Sequence, residues 1–206
     1  MQRVIDYYYT HASPWAYLGH AALLALVERH GYAVRFRPVS LTTVFAETGG
    51  LPLAKRHPVR QAYRFIELQR WREQRNLPLT LKPAYFPVKP DLADRVAVAL
   101  ALEGGPVAAY SDAVFRALWT EDQDIAAAPV LAAILKRLDL DAEAVLAQAG
   151  EKPVVERYME NQSDAIAGGV FGSPSYVLNG EVFWGQDRLE LLDAALASGR
   201  GPFTVP

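Results

Sequence analysis

The sequence predicts an α/β fold in which a β-α-β half and a β-β-α half flank a large all-helical insertion. Three observations lead there. Arg3 to Tyr9 is an apolar, strand-like run that ends just before Ser13-Pro14, a helix start. Ser175 to Leu178 and Val182 to Trp184 flank Asn179-Gly180, the strongest short-range hairpin signal. Between these ends, from about residue 58 to residue 167, helical patterns dominate.

Taken in order, Ser13 suits an N-cap and Pro14 the first helical position, where a missing N–H costs nothing. Leu18, Ala22, Ala25 and Leu26 then recur near helical spacing until His30-Gly31. Ala33 to Val39 alternates apolar Val34 and Phe36 with Arg35 and Arg37, the period of a half-buried strand, and Pro38 marks its end. A β-α-β connection of this kind is right-handed and brings the helix N-terminus to the carboxyl end of the first strand, where open α/β sheets bind ligands. Ser13 is therefore placed at a ligand-binding position. Further helices are predicted over 91–102, 107–119, 127–138 and 142–148, separated by Pro78, the Pro83 to Pro87 segment, Gly104-Gly105-Pro106 and Gly150. After the hairpin, Asp187 is expected to cap a last helix running to Ala197. Residues 1–206 form one domain in this reading, with the insertion inside it.

The composition narrows the function classes. The 206 residues, 51% of them hydrophobic, bury a substantial single core. Lys plus Arg is 21 against Asp plus Glu at 23, a net charge of −2 that argues against a nucleic-acid partner. No apolar run reaches the roughly 20 residues a bilayer span needs, so no membrane role is expected. Met1 to Asp6 enters a strand without the basic and apolar stretches of a signal peptide, from which we expect a cytoplasmic protein. There is no cysteine, so dithiol exchange by this chain is impossible.

The candidate chemistry is polar and sparse. The Ser13 hydroxyl lies beside the orphan N–H groups and positive dipole end of its helix, so it can cap that helix or donate a hydrogen bond to an anion. Covalent serine catalysis is the weaker reading, because no general base is placed beside Ser13, and Gly172-Ser173-Pro174-Ser175 is not a nucleophile elbow. Arg60 and Arg64, four apart on one helical face in an arginine-rich segment, are the best candidates for gripping a carboxylate. Trp15 and Tyr85 are candidate pocket walls. His11, His20, His30 and His57 have no metal-ligand spacing, and no phosphate-loop motif occurs, so neither metal nor nucleotide is expected.

The chain resembles the 2-hydroxychromene-2-carboxylate isomerases and their relatives, the kappa-class glutathione transferases, within the thioredoxin-like disulfide oxidoreductase superfamily. The resemblance rests on Tyr7 to Gly19, on Phe86-Pro87, and on Gly169 to Pro174 with Gly185-Gln186-Asp187-Arg188-Leu189. It implies a thioredoxin-like fold in which Ser13 stands at the first cysteine position and Ala16 at the second. It implies glutathione as cofactor, with its thiolate held by Ser13, its cysteinyl backbone paired with Ser173 before a cis Pro174, and its γ-glutamyl end held by Gln186 and Asp187. Arg60 stands in the segment where the family often has Lys for the other end, and Val88-Lys89 follows Phe86-Pro87 where the isomerases commonly carry Asn. The implied activity is reversible thiolate addition to an unsaturated aromatic 2-oxo acid, giving net isomerisation in a homodimer. A conjugating transferase on the same site, a non-catalytic peptide-binding module and, last, a serine hydrolase are the alternatives.

Overall fold

A four-stranded mixed sheet carries the molecule, and the computed structural model describes residues 3–205. The strands are β1 (Val4–Tyr9), β2 (Ala33–Pro38), β3 (Ser175–Leu178) and β4 (Glu181–Trp184), in spatial order β2-β1-β3-β4. β1 pairs parallel with β2 and antiparallel with β3, and β3 pairs antiparallel with β4. The expected β-α-β and β-β-α halves are therefore both present, sharing β1 and β3 as inner strands. Pro38 closes the β1–β2 ladder opposite Tyr9, as its missing N–H requires.

β1 is central, and both of its faces are packed against other elements. Ile5, Tyr7 and Tyr9 point into the main core, where Tyr7 stacks between Tyr9 and Tyr176 at ring distances of 4.4 and 5.5 Å. On the opposite face Tyr8 packs with Val39, Val44, Ala165 and Val170. Asp6 lies on that face too and takes Arg35 and Arg37 as ion-pair partners.

Helix α1 (Pro14–His30) follows β1 through a tight turn and is capped at both ends as its sequence requires. The Ser13 hydroxyl accepts from the Ala16 amide, and Gly31, at φ 66°, returns its N–H to the Glu28 and Val27 carbonyls. A short helix that the sequence reading passed over, α2 (Leu41–Thr48), runs from an N-cap at Ser40 to a left-handed Gly49. Six helices then separate α2 from β3 in the chain: α3 (Pro58–Gln74), α4 (Asp91–Leu102), α5 (Val107–Trp119), α6 (Ala128–Arg137), α7 (Ala142–Gln148) and α8 (Lys152–Ala167). α4, α5 and α6 bury Val96, Leu100, Tyr110, Phe115, Leu118, Trp119 and Ile134 in the same core as β1 and α1. Among the described residues, no helix is long and apolar enough to cross a membrane, and no group of His, Cys, Asp and Glu is arranged to hold a metal ion.

The last helix, α9 (Leu189–Ser198), corrects one expectation. Asp187 does not cap it. Gly185, at φ 99°, turns the chain into a short 3₁₀ segment over Gln186–Arg188, so the helix starts at Leu189, one residue later than expected, with Arg188 at the N-cap position and no side-chain cap. The Asp187 carboxylate instead meets the Arg188 guanidinium at 2.5 Å and folds back over Gly185, where a Cβ would collide with it.

Candidate active site

The site forms where the β1–α1 turn meets the segment leading into β3. Ser13 is nearly fully buried. Its hydroxyl donates to the Ser173 carbonyl at 3.0 Å while accepting from the Ala16 amide at 3.2 Å. The N-cap and the ligand-donor readings of Ser13 thus describe one atom in two roles. Pro14 has no N–H, and the Ala16 and Tyr17 amides are taken by the Ser13 hydroxyl and carbonyl, so the Trp15 amide remains as the orphan donor at the positive end of α1.

The peptide bond between Ser173 and Pro174 is cis, and so is that between Phe86 and Pro87. The Ser173 hydroxyl is fixed by the backbone N–H of Thr10 at 3.1 Å. Both serines are therefore tied to the same four-residue turn, in which the Ser13 amide also donates to the Thr10 carbonyl at 3.0 Å. Beneath the turn lies a fully buried carboxylate, Asp94 of α4, and the Trp119 indole of α5 donates to the His11 carbonyl at 3.2 Å.

Gln186 is buried against Gly19 of α1, and an arginine holds it there. Arg75, just beyond α3, donates to the Gln186 side-chain oxygen at 2.9 Å and to its carbonyl at 3.0 Å. Gly19 of α1 permits this close approach, since a Cβ at residue 19 would sit 2.7 Å from both the Gln186 Cβ and the Tyr176 hydroxyl. Asp187 stays exposed next to Gln186.

The other candidates separate. Arg64 is largely withdrawn from solvent, its guanidinium 5.4 Å from the centre of the Phe86 ring, and among the described residues it makes no ion pair. Burial first, and the nearby Arg56 second, push its pKa down to about 10, which leaves it charged at neutral pH. Phe86 in turn packs on Trp119 at 5.1 Å, so a continuous aromatic contact runs from Arg64 to the turn that carries Ser13. Arg60 is exposed one turn earlier on α3, and Trp15 is half-buried at the edge of the core. Tyr85 is 47% exposed; its neighbour Phe86 is the aromatic that meets Arg64. Arg75, Thr10, Asp94 and Trp119 were not singled out by the sequence reading. Asp94 left a trace, as the one carboxylate in the largely apolar stretch from Ala93 to Leu102.

A family model described as a DSBA-like thioredoxin domain matches residues 4–197 of this chain. A 2-hydroxychromene-2-carboxylate isomerase from Pseudomonas putida is 30% identical over 198 residues, covering 94% of each chain. One from Pseudomonas sp. (strain C18) is 30% identical over 196 residues, covering 94% of this chain and 90% of that one. A solved structure of a 2-hydroxychromene-2-carboxylate isomerase superposes with a TM-score of 0.82 at 28% identity over 95% of each chain.

Proposed function

We propose, from the premise that this chain belongs to the DSBA-like thioredoxin-domain family and within it to the 2-hydroxychromene-2-carboxylate isomerases, that it is a glutathione-dependent isomerase of an unsaturated aromatic 2-oxo acid. The observation that carries the thiol-binding part of this reading is the Ser13 to Ser173 hydrogen bond, which joins the start of α1 to the segment before β3 in a chain without cysteine. The two positions that carry cysteine in redox members carry Ser13 and Ala16 here, so a thiol acting at this site would be a ligand's.

Glutathione, when bound, supplies a thiolate that adds reversibly to the conjugated acid, permits bond rotation and leaves unchanged. The chain's own groups prepare for it. The Ser173 carbonyl would hold a cysteinyl amide, and the Ser13 hydroxyl, which has a single proton and now donates it to that carbonyl, would donate it to the sulfur instead. The Trp15 amide and the α1 dipole add positive potential at the same place. A free thiol has a pKa of about 8.5, so these donors enlarge the thiolate fraction near neutral pH. Gln186, locked by Arg75, and the exposed Asp187 receive the amino-acid end of the tripeptide. Arg60 takes the opposite carboxylate. Arg64, charged and without an acidic partner among the described residues, draws in the carboxylate of the aromatic acid, and Phe86 gives its ring a face to pack on.

The test combines two measurements on wild type and Ser13→Ala. Calorimetry reads glutathione binding, and the ultraviolet spectrum of 2-hydroxychromene-2-carboxylate reads turnover with and without glutathione. Thiol-dependent conversion that leaves the glutathione concentration unchanged and falls in Ser13→Ala carries the proposal. Consumption of glutathione into a thioether would make the chain a conjugating transferase, and no binding at all would end both glutathione readings.

A further inference from the structure

We propose that Asp94 is a positioning residue that holds the Ser13 and Ser173 pair in register through Thr10; this deepens the thiol-site reading above and rests on it. Asp94 is entirely buried on α4, in a helix that otherwise buries Ala93, Val96, Ala97, Val98, Ala99 and Leu100. A carboxylate so placed is tolerated only when donors surround it. Four do. Its Oδ2 accepts from the Thr10 hydroxyl at 2.8 Å and from the Tyr158 hydroxyl at 3.4 Å. Its Oδ1 accepts from the His11 backbone N–H at 3.1 Å and lies 2.6 Å from the His11 Nδ1.

Three of these four contacts come from two consecutive residues, and those residues form the turn of the site. Thr10 passes the constraint on in two directions. Its amide donates to the Ser173 hydroxyl, and its carbonyl accepts from the Ser13 amide at 3.0 Å. Since Ser13 and Ser173 also bond to each other, the hydrogen bonds close a ring through Thr10, Ser173 and Ser13, and Asp94 pins that ring at one point. His11 acts as a strut. Its ring is enclosed by those of Phe115, Tyr9 and Tyr110 at 5.0, 5.3 and 5.9 Å, and its Nε2 meets no polar partner among the described residues, so it faces the core rather than a substrate. Position within this ring decides whether the Ser13 proton can move from a carbonyl to a sulfur without the turn relaxing. A misplacement of about 1 Å by a mutation remote from the chemistry can cost up to about a hundredfold in rate.

The decisive variants are Thr10→Val, which removes the hydroxyl that meets Asp94 while keeping the amide and the shape, Thr10→Ser, which keeps that hydroxyl, and Asp94→Asn. Steady-state kinetics are read well below each variant's melting temperature. The expected result is a fall in kcat of about tenfold or more for Thr10→Val and Asp94→Asn, KM for the acid within about threefold, and recovery in Thr10→Ser. Variants that melt earlier yet keep the wild-type kcat would overturn the positioning role. Should the wild type not turn over at all with glutathione, the thiol-site reading falls, and amide hydrogen exchange in the ligand-free protein decides the rest. Faster exchange at the amides of residues 10 and 13 in Thr10→Val, with the β1–β2 amides unchanged, supports the pin; unchanged exchange at residues 10 and 13 rejects it.

Discussion

At Ser13 one hydroxyl serves as helix cap and as donor across the site, and the two roles make separable predictions. Losing the cap costs about 1 kcal/mol of stability, so Ser13→Ala is expected to lower the denaturation midpoint modestly. Losing the donor acts on the ligand. A hydrogen bond to a charged group contributes about 1.5–3 kcal/mol, and without it the bound thiol's pKa moves up toward its free value. The pH–rate profile of Ser13→Ala should therefore shift to higher pH, with activity at pH 7 lower by roughly ten- to a hundredfold. An unshifted profile would leave Ser13 as a cap alone. Gly19 makes the companion case. The added methyl of Gly19→Ala meets the Gln186 Cβ and the Tyr176 hydroxyl at 2.7 Å, both in the interior, where overpacking costs about 1–3 kcal/mol. Calorimetry should show weaker glutathione binding in Gly19→Ala, because the side chain that yields is the one Arg75 holds in place.

Among the elements, α3 is the one whose charges the packing sorts into roles. An α-helix rises 1.5 Å per residue, so Arg64 and Arg75 stand roughly 16 Å apart along its direction. One faces Phe86 and the other grips Gln186. Arg64→Met keeps the packing on Phe86 and removes the charge, so KM for the aromatic acid should rise about tenfold or more while the glutathione affinity holds. An unchanged KM would place the acid's carboxylate elsewhere. The same helix marks where the sequence was legible and where it was not. Ser13, Pro14, Gly31 and the Asn179-Gly180 hairpin are local signals, each set by the backbone conformation of a few residues, and all four stand where the sequence put them. Arg75, Asp94 and Trp119 join the site, and Thr10 reaches Ser173 and Asp94, through contacts spanning from 84 to 163 residues along the chain. No local pattern encodes such pairings. The start of α9 was misread for the opposite reason: Asp187 is a good cap residue locally, but the positive φ of Gly185 begins a tighter turn first. Ser40 and Gly49, which bracket α2, were equally local signals left unread.

In the molecule as a whole, the helices between β2 and β3 do more than cover the sheet, since α4 and α5 reach under the β1–α1 turn and fix it from below through Asp94 and Trp119. The same interface contains a titratable group that should couple its integrity to pH. His20 of α1 is almost fully buried, with its Nε2 3.1 Å from the Ala108 carbonyl of α5 and its ring among those of Tyr7, Phe36 and Phe115. Burial is the main cause that pushes its pKa down to about 4, against the opposing pull of the Ala108 carbonyl and Asp112 and with a smaller contribution from His11. An unfolded histidine titrates near 6.5. Between those two values the unfolded chain binds the proton and the folded chain does not, so stability is full above about pH 6.5 and is lost progressively as pH falls toward 4. By linkage the loss between pH 7 and pH 5 is on the order of 2 kcal/mol. His20→Gln keeps a donor for Ala108 but has nothing to titrate. Urea titrations of both proteins at pH 7 and pH 5 should show the wild type losing more stability than His20→Gln by about that amount. Equal losses would mean that His20 can take up its proton in the folded state, and that the α1–α5 contact is open enough to solvent to let it.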